Sequence, residues 1–436
     1  MGLKGRADLH MEEISRRRKG ISGGLSLMIG ISALLLLAKG VEMVPVIKSI
    51  KSEDGDIIDC VDIYKQPAFD HPLLKNHRIK MQPTGSFSST SRTNNATNGT
   101  EVHQVWHKSG KCPNGTIPIR RSSQHAIYLH SSATDEQPNR SCSVIHHAGI
   151  QADGHVLGAR ADINIWRLRR VMKDEWSLNS VKIISSMDSF IQYGWMASPF
   201  IYGDDSKTRL FIRSVDRRSG RDCFNLMCPG FIQVSSHLAL GATLTPLSKY
   251  MGVQYDISFQ IHKDSKTGSW WALYNGAALG YWPPESLPAS FHGLSAWWGG
   301  EVCDKRVDGA GNQTSTMMGN GRYILGGRGT CVYVSGMEVM DTTRRRRWMA
   351  PPAHCVRQSS VYYVVSTYKK YNASDGMLSA YYGGPGMRRP VFYDRRPVPH
   401  SRMGHSRSPS PREDPYKITS SLSFSLLRDS RFLQDI

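Results

Sequence analysis

Zinc-binding cysteine pairs, metalloprotease helices and nucleotide loops are all missing from this chain. No C-x-x-C spacing occurs among its cysteines, neither H-E-x-x-H nor G-x-x-x-x-G-K-[ST] appears, and no G-x-G-x-x-G follows a strand pattern. Those gaps exclude the commonest zinc, P-loop and dinucleotide chemistries. Helical periodicity is also absent: within 148–386 no run sustains apolar residues at i, i+3, i+4 and i+7, and Gly and Pro interrupt too often for long helices. Acids are scarce, 36 Asp+Glu against 55 Lys+Arg, for a formal charge of +19. The excess is clustered at Arg16 to Lys19, at Arg344 to Arg347 and after Gly386. It forms no stripe with interleaved stacking aromatics, so nucleic acid is not an expected partner.

What is present suffices for folding. The chain has 436 residues, 39% of them hydrophobic, with 40 Gly and 22 Pro spread throughout, a composition that excludes collagen, coiled coil and wholesale disorder. Two folding units plus tails fit that length. Ile21 to Ala38 is uncharged and apolar, follows the basic cluster, and ends in a small-x-small pattern at Ala38 and Gly40. Residues 1–40 therefore read as a signal peptide, or as a signal anchor that holds the chain in a membrane through 21–38; the body is expected to be extracytosolic. Six Asn-x-Ser/Thr sequons, at Asn95, Asn98, Asn114, Asn139, Asn312 and Asn372, are glycosylation acceptors on that route. The eight cysteines then suit disulfides, with Cys223 and Cys228 close enough to staple a loop and Cys60 with Cys112 able to close the first unit. Spacing does not pair Cys142, Cys303, Cys331 or Cys355.

From 41 to 147 the chain is rich in Pro, Ser, Thr and Asn and reads as a small, loop-rich mixed unit. Beyond it, strands recur. Val253, Tyr255, Ile257, Phe259 and Ile261 alternate with polar residues, and the turn residues Asp264 to Ser269 lead into Trp270 to Tyr274, which predicts a hairpin. The same period appears at Ala161, Ile163 and Ile165, and at Ile232, Val234, Leu238 and Leu240. An all-β, antiparallel β-sandwich over 148–386 follows. Residues 387–436, containing Ser406-Arg-Ser-Pro-Ser-Pro-Arg412, form a basic tail expected to be disordered.

Two segments set polar residues among aromatics and glycines: Phe190-Ile-Gln192-Tyr-Gly-Trp195 and Trp297-Trp-Gly-Gly-Glu301-Val302. Burial against indoles raises a carboxyl pKa and suits Glu301 to acid or base work. Strand geometry places Gln192 and Gly194 on one face, with the glycine leaving open space over which an amide donates to an oxyanion. Tyr193, Trp195, Trp297 and Trp298 are expected to line the substrate groove.

Long stretches of the chain resemble the plant neprosin family: Asp59-Cys-Val-Asp-Ile-Tyr-Lys-Gln-Pro-Ala-Phe-Asp-His-Pro-Leu-Leu-Lys75, Cys112-Pro-Asn-Gly-Thr-Ile-Pro-Ile-Arg-Arg121, Gly158-Ala-Arg-Ala-Asp-Ile-Asn-Ile-Trp166, Cys223-Phe-Asn-Leu-Met-Cys-Pro-Gly-Phe-Ile-Gln-Val234 and Trp297-Trp-Gly-Gly-Glu301. The resemblance covers Ser52 to about Gly386, with an activation peptide first and a peptidase domain second. It implies a secreted glutamic peptidase made as a zymogen, a sandwich of two antiparallel sheets, no metal or cofactor, and cleavage after proline in acidic fluid. It also implies that the chain's own pro-domain acts as inhibitor and that a proline-containing peptide is the substrate. Of the two glutamates the family sets across its cleft, one matches Glu301 and the other falls on Gln192. Fungal glutamic peptidases use a Gln/Glu pair, so the resemblance implies a Gln192/Glu301 dyad. The alternative is a catalytically impaired sandwich that binds cell-wall polysaccharide or protein. The family's closing cysteine after Tyr381 to Gly386 is missing, which leaves Cys355 without that partner.

Overall fold

The computed structural model describes residues 45–84, 102–122, 142–203, 205–305, 314–324, 327–340, 342, 347–357, 359, 361–367 and 379–387. The leader with its apolar run, Arg344 to Arg346, the sequons Asn95, Asn98, Asn139, Asn312 and Asn372, and the tail from 388 lie outside them.

The amino-terminal unit holds β1 (Val46–Lys51), β2 (Ile57–Asp62), β3 (His103–Gln104) and β4 (Thr116–Arg120). The body continues with β5 (Val144–Asp153), β6 (Gly158–Asn164), β7 (Ser177–Ser186), β8 (Ser189–Ala197), β9 (Arg209–Asp216), β10 (Arg221–Phe224), β11 (Ile232–Gln233) and β12 (Leu244–Thr245). It ends with β13 (Asp256–Lys263), β14 (Trp270–Tyr274), β15 (Ala277–Trp282), β16 (Ser295–Asp304), β17 (Val332–Met340), β18 (Trp348–Met349), β19 (His354–Arg357), β20 (Tyr363–Thr367) and β21 (Ser379–Gly383). Strands β1-β2-β4 form a small sheet. A seven-stranded sheet runs β10-β9-β8-β7-β16-β5-β19, and a second runs β11-β15-β14-β13-β6-β17-β21-β20 with β18 on β17. Paired strands are antiparallel throughout.

The two large sheets face each other as the expected sandwich. Ile191, Tyr193, Trp195, Val181, Ile183 and Trp298 of the first meet Ile163, Ile257, Phe259, Ile261, Ala272 and Tyr382 of the second in one buried core. Each buried indole removes about 200 Å² from water, roughly 5 kcal/mol at ~25 cal/mol/Å². The predicted hairpin is present: β13 pairs with β14, closed by Asp264 N–H donating to Ser269 O at 2.8 Å with Gly268 at φ +73°. The alternation at Ile232 to Leu240 does not extend as a strand beyond Gln233. The Gln233 amide donates to Leu238 O at 2.9 Å and to Pro118 O at 3.1 Å, which turns the chain and buries Leu238 and Leu240 from a loop.

The amino-terminal unit docks on the second sheet and on strand β9 of the first. Ala68 and Leu74 pack with Ile232, Trp271 and Tyr281, β3 pairs with β12, and Asp56 meets the fully buried Arg209 at 2.6 Å. Strand β5 starts before the expected division at 147/148 and lies between β16 and β19 in the seven-stranded sheet. That division therefore cuts a strand of the peptidase sheet. The reason is pairing: Ser295 to Asp304 is matched residue for residue with Val144 to Asp153.

The structure closes Cys60–Cys112 and Cys223–Cys228, and joins Cys142 to Cys303, which spacing left open. Cys331 is free and buried; Cys355 is free and exposed. Asn114 lies on an exposed turn.

Candidate active site

Alternation along four neighbouring strands sends one set of side chains outward from the seven-stranded sheet. These are Gln192 from β8, Ser180 and Lys182 from β7, Trp297 and Glu301 from β16, and His147 from β5. Cross-strand register brings them together: Lys182 lies opposite both Gln192 and Trp297, and Glu301 lies opposite His147. A cleft of about 1310 Å³ opens above them, lined by His147, Lys182, Phe190, Arg213, Trp297 and Glu301 among others.

Glu301 is the centre of the cluster and is only 2% exposed. Its Oε1 accepts from Lys182 Nζ at 2.5 Å and faces His147 Nδ1 at 2.9 Å. Its Oε2 accepts a short bond from Gln192 Nε2. The other Gln192 amide hydrogen goes to Ser180 Oγ at 2.8 Å. Burial alone would raise the Glu301 carboxyl, but the Lys182 ammonium and His147 hold it well below the usual carboxylate range. The raised pKa expected from indole contact is thus reversed, because a cation sits at the carboxylate. Beside the pair, Arg213 is held by Asp222 at 2.6 Å and stacks over Phe224, 4.8 Å from its ring centroid.

The glycines act differently from expectation. A Cβ on Gly194 would meet Asn179 O at 2.0 Å, so the space beside Gln192 is filled by the backbone of β7 and is not an opening. At Gly299 and Gly149 the missing side chains let the backbones of β16 and β5 approach closely, with Ala148 O and Trp298 O 2.5 and 2.4 Å from where their Cβ atoms would be, and leave room for the Trp297 indole. That bare patch sets Trp297 against the reacting cluster.

Of the residues expected to line the groove, Trp297 does so. Tyr193, Trp195 and Trp298 are fully buried between the sheets. Period two requires it: if Gln192 and Gly194 face outward, Tyr193 and Trp195 face inward. Gln192 is itself fully buried and contributes nothing to the cleft wall. Both of its amide hydrogens are committed in this structure, to Ser180 and to Glu301. Lys182 and His147 were missed. A lysine between Val181 and Ile183 in an apolar strand was the available signal for the first; nothing in the local pattern marked the second. Among the described residues no group of three or more His, Cys, Asp or Glu is arranged to hold a metal ion.

Comparison with known proteins matches residues 49–155 to the neprosin activation peptide and 173–385 to neprosin. The activation-peptide match runs through β5, whose His147 stands at Glu301. Among solved structures, a scytalido-glutamic peptidase with a peptide-based transition-state analogue shows 12% identity over 56% of this chain and all of its own, at a TM-score of 0.30. SCP-B, an eqolisin-family peptidase bound to the tripeptide Ala-Ile-His, shows 11% identity over 56% of this chain and all of its own, at a TM-score of 0.28. CG-16, a homodimeric agglutinin from chicken liver, shows 8% identity over 36% of this chain and 93% of its own, at a TM-score of 0.21. At such scores these likenesses carry no argument about chemistry. The two family matches, in that order along the sequence, do: the chain belongs to the neprosin family of glutamic-type peptidases made with an activation peptide.

Proposed function

We propose that the chain is a secreted endopeptidase that cuts proline-containing peptides in acidic surroundings, with Glu301 as general base and Gln192 as the residue that positions it. The observation that supports this most directly is the bond from the buried Gln192 to Glu301, a carboxylate that lines one large cleft. Glu301 takes a proton from water as the water oxygen attacks the carbonyl carbon, and returns it to the leaving amine. Its depressed pKa keeps it ionised in acid, where an ordinary carboxylate would protonate. Trp297, only 3% exposed, gives the cleft an apolar lining beside Glu301. Burial of Tyr193, Trp195 and Trp298 removes the aromatic platform that a polysaccharide-binding reading needs.

Gln192→Ala is expected to lower kcat about 10²-fold, the usual cost of misplacing a reacting group by an ångström. Kinetics of acid-treated protein on a proline-containing peptide check this. Gln192→Glu separates the readings: a large gain would mean that the natural site is impaired.

The activation unit is the second half of the proposal. Of its described residues before Cys142 only His71 lines the cleft, but three of its histidines face the peptidase and have their pKa lowered. Burial lowers His71, aided by Arg221. It lowers His77, against Glu285 and with Lys80, where the ring bonds Tyr281 Oη at 2.9 Å. It also lowers His107, against the bond to His237 O at 2.6 Å and with His103 and His237 nearby. Groups with depressed values in the docked state take up protons on release. Docking is therefore at full strength above their ordinary value of 6.5 and weakens as pH falls below it. Replacing His71, His77 and His107 together by Gln should slow the appearance of activity on acidification. A triple variant that activates at the same pH and rate as the wild type would refute the switch.

A further inference from the structure

The Glu301/Gln192 reading leaves one chemical need unmet. A tetrahedral intermediate carries an oxyanion, and Gln192 has spent both amide hydrogens on Ser180 and Glu301. Of the cationic side chains that line the cleft, the lysine bonded directly to Glu301 is Lys182. Lys182 Nζ has three N–H bonds, of which one goes to Glu301 Oε1. The ammonium also stands 4.6 Å from the Phe190 ring centroid and 4.8 Å from that of Trp297, and among the described residues no other oxygen accepts from it. Its side chain is 7% exposed, so it acts in a low-dielectric site, where a charge is worth more than in water.

We propose that Lys182 is a catalytic residue of this peptidase, whose ammonium binds the oxyanion that forms on the scissile carbonyl. The assignment rests on the peptidase reading above. In the first step Glu301 removes a proton from water, the water oxygen bonds the carbonyl carbon, and the carbonyl π pair moves onto oxygen beside Lys182 Nζ. In the second, the carbonyl reforms, the C–N bond breaks, and the amine leaves with the proton from Glu301. Lys182 neither gains nor loses a proton. As negative charge grows on the carbonyl oxygen the ammonium follows it away from Glu301. The carboxylate thus becomes more basic just as it accepts its proton. The same lysine therefore keeps the base ionised at rest and releases it in the transition state.

The charged groups facing Lys182 are Glu301, with His147 on the same carboxylate oxygen, and the guanidinium groups of Arg213 and Arg217, which lie opposite Asp222 and Asp188. Both arginines belong to strand β9 and the turn after it, on the far side of β8 from Glu301, whereas Lys182 Nζ stands 2.5 Å from Glu301 Oε1.

The test compares the full-length, acid-treated wild type with Lys182→Met and Lys182→Gln, measuring kcat and KM on a proline-containing peptide across pH. In Lys182→Met, kcat should fall about 10²–10³-fold, as for loss of one oxyanion donor, with KM little changed. The acid limb of its kcat profile should move to higher pH, because Glu301 keeps its burial and loses its cation. Lys182→Gln keeps a donor without the charge and should show the same shift of the limb with a smaller loss of kcat. If Lys182→Met does not fold, that shift in the Gln variant decides. A Met variant as fast as the wild type or faster overturns the proposal, as does a loss that appears wholly in KM or an acid limb that stays in place. A wild type that cuts no peptide defeats the underlying peptidase reading instead, and is recognised before any variant is compared.

Discussion

Glu301→Gln is expected to abolish peptide hydrolysis, with a loss of at least the ~10⁴-fold that a general acid–base group contributes at its upper range. An amide of the same shape keeps the strand and the cleft but accepts no proton from water. Its NH2 group also faces the donors of Gln192 or of Lys182 and His147, so the network of bonds around the position is broken as well as the chemistry. Lys182 is then a buried ammonium without its carboxylate, and such breaks cost about 3–5 kcal/mol. Thermal unfolding of the variant should therefore shift downward in parallel with the loss of turnover. Release of peptide fragments, followed by mass spectrometry at several pH values, is the measurement. Hydrolysis by Glu301→Gln at the wild-type rate would remove the carboxylate from the mechanism altogether.

Gly194→Ala carries the second large effect, through stability. Its methyl group would stand 2.0 Å from Asn179 O and 2.7 Å from Ser180 Cα, both backbone atoms of the adjacent strand. No side-chain rotation relieves that contact, so β7 and β8 must separate. Overpacking of a fitted interior costs about 1–3 kcal/mol and more where backbone has to yield. Those strands carry Ser180, Lys182 and Gln192, so the same displacement loosens the grip on Glu301. We expect a fall of several degrees in the melting temperature together with a loss of kcat. An Ala variant with the wild-type melting curve would show that the strands tolerate the methyl group.

The extent to which the site was legible depended on the distance between partners. The sandwich could be read because Ile257, Phe259 and Ile261 alternate locally, and the turn after them carries its own residues. Glu301 and Gln192 were each marked by their aromatic and glycine surroundings, but their pairing came from family likeness, since nothing near either one points to a partner 109 residues away in sequence. Lys182 escaped notice because its meaning comes from a carboxylate on another strand, 119 residues on. The inward turn of Tyr193 and Trp195 was available from strand parity once Gln192 was set outward. The division at 147/148 falls inside β5 because composition changes along the chain do not follow sheet membership.

The bridge from Cys142 to Cys303 ties the head of β5 to the end of β16, and Cys142 and Ser143 stand at the rim of the cleft. Maturation that severs the chain upstream of this clasp leaves a new terminus moored at the groove's entrance, carrying whatever overhang the cut allows. The length of that overhang sets how much of the trench a bound polypeptide occupies, so preparations trimmed at different points share one reaction centre but differ in reach.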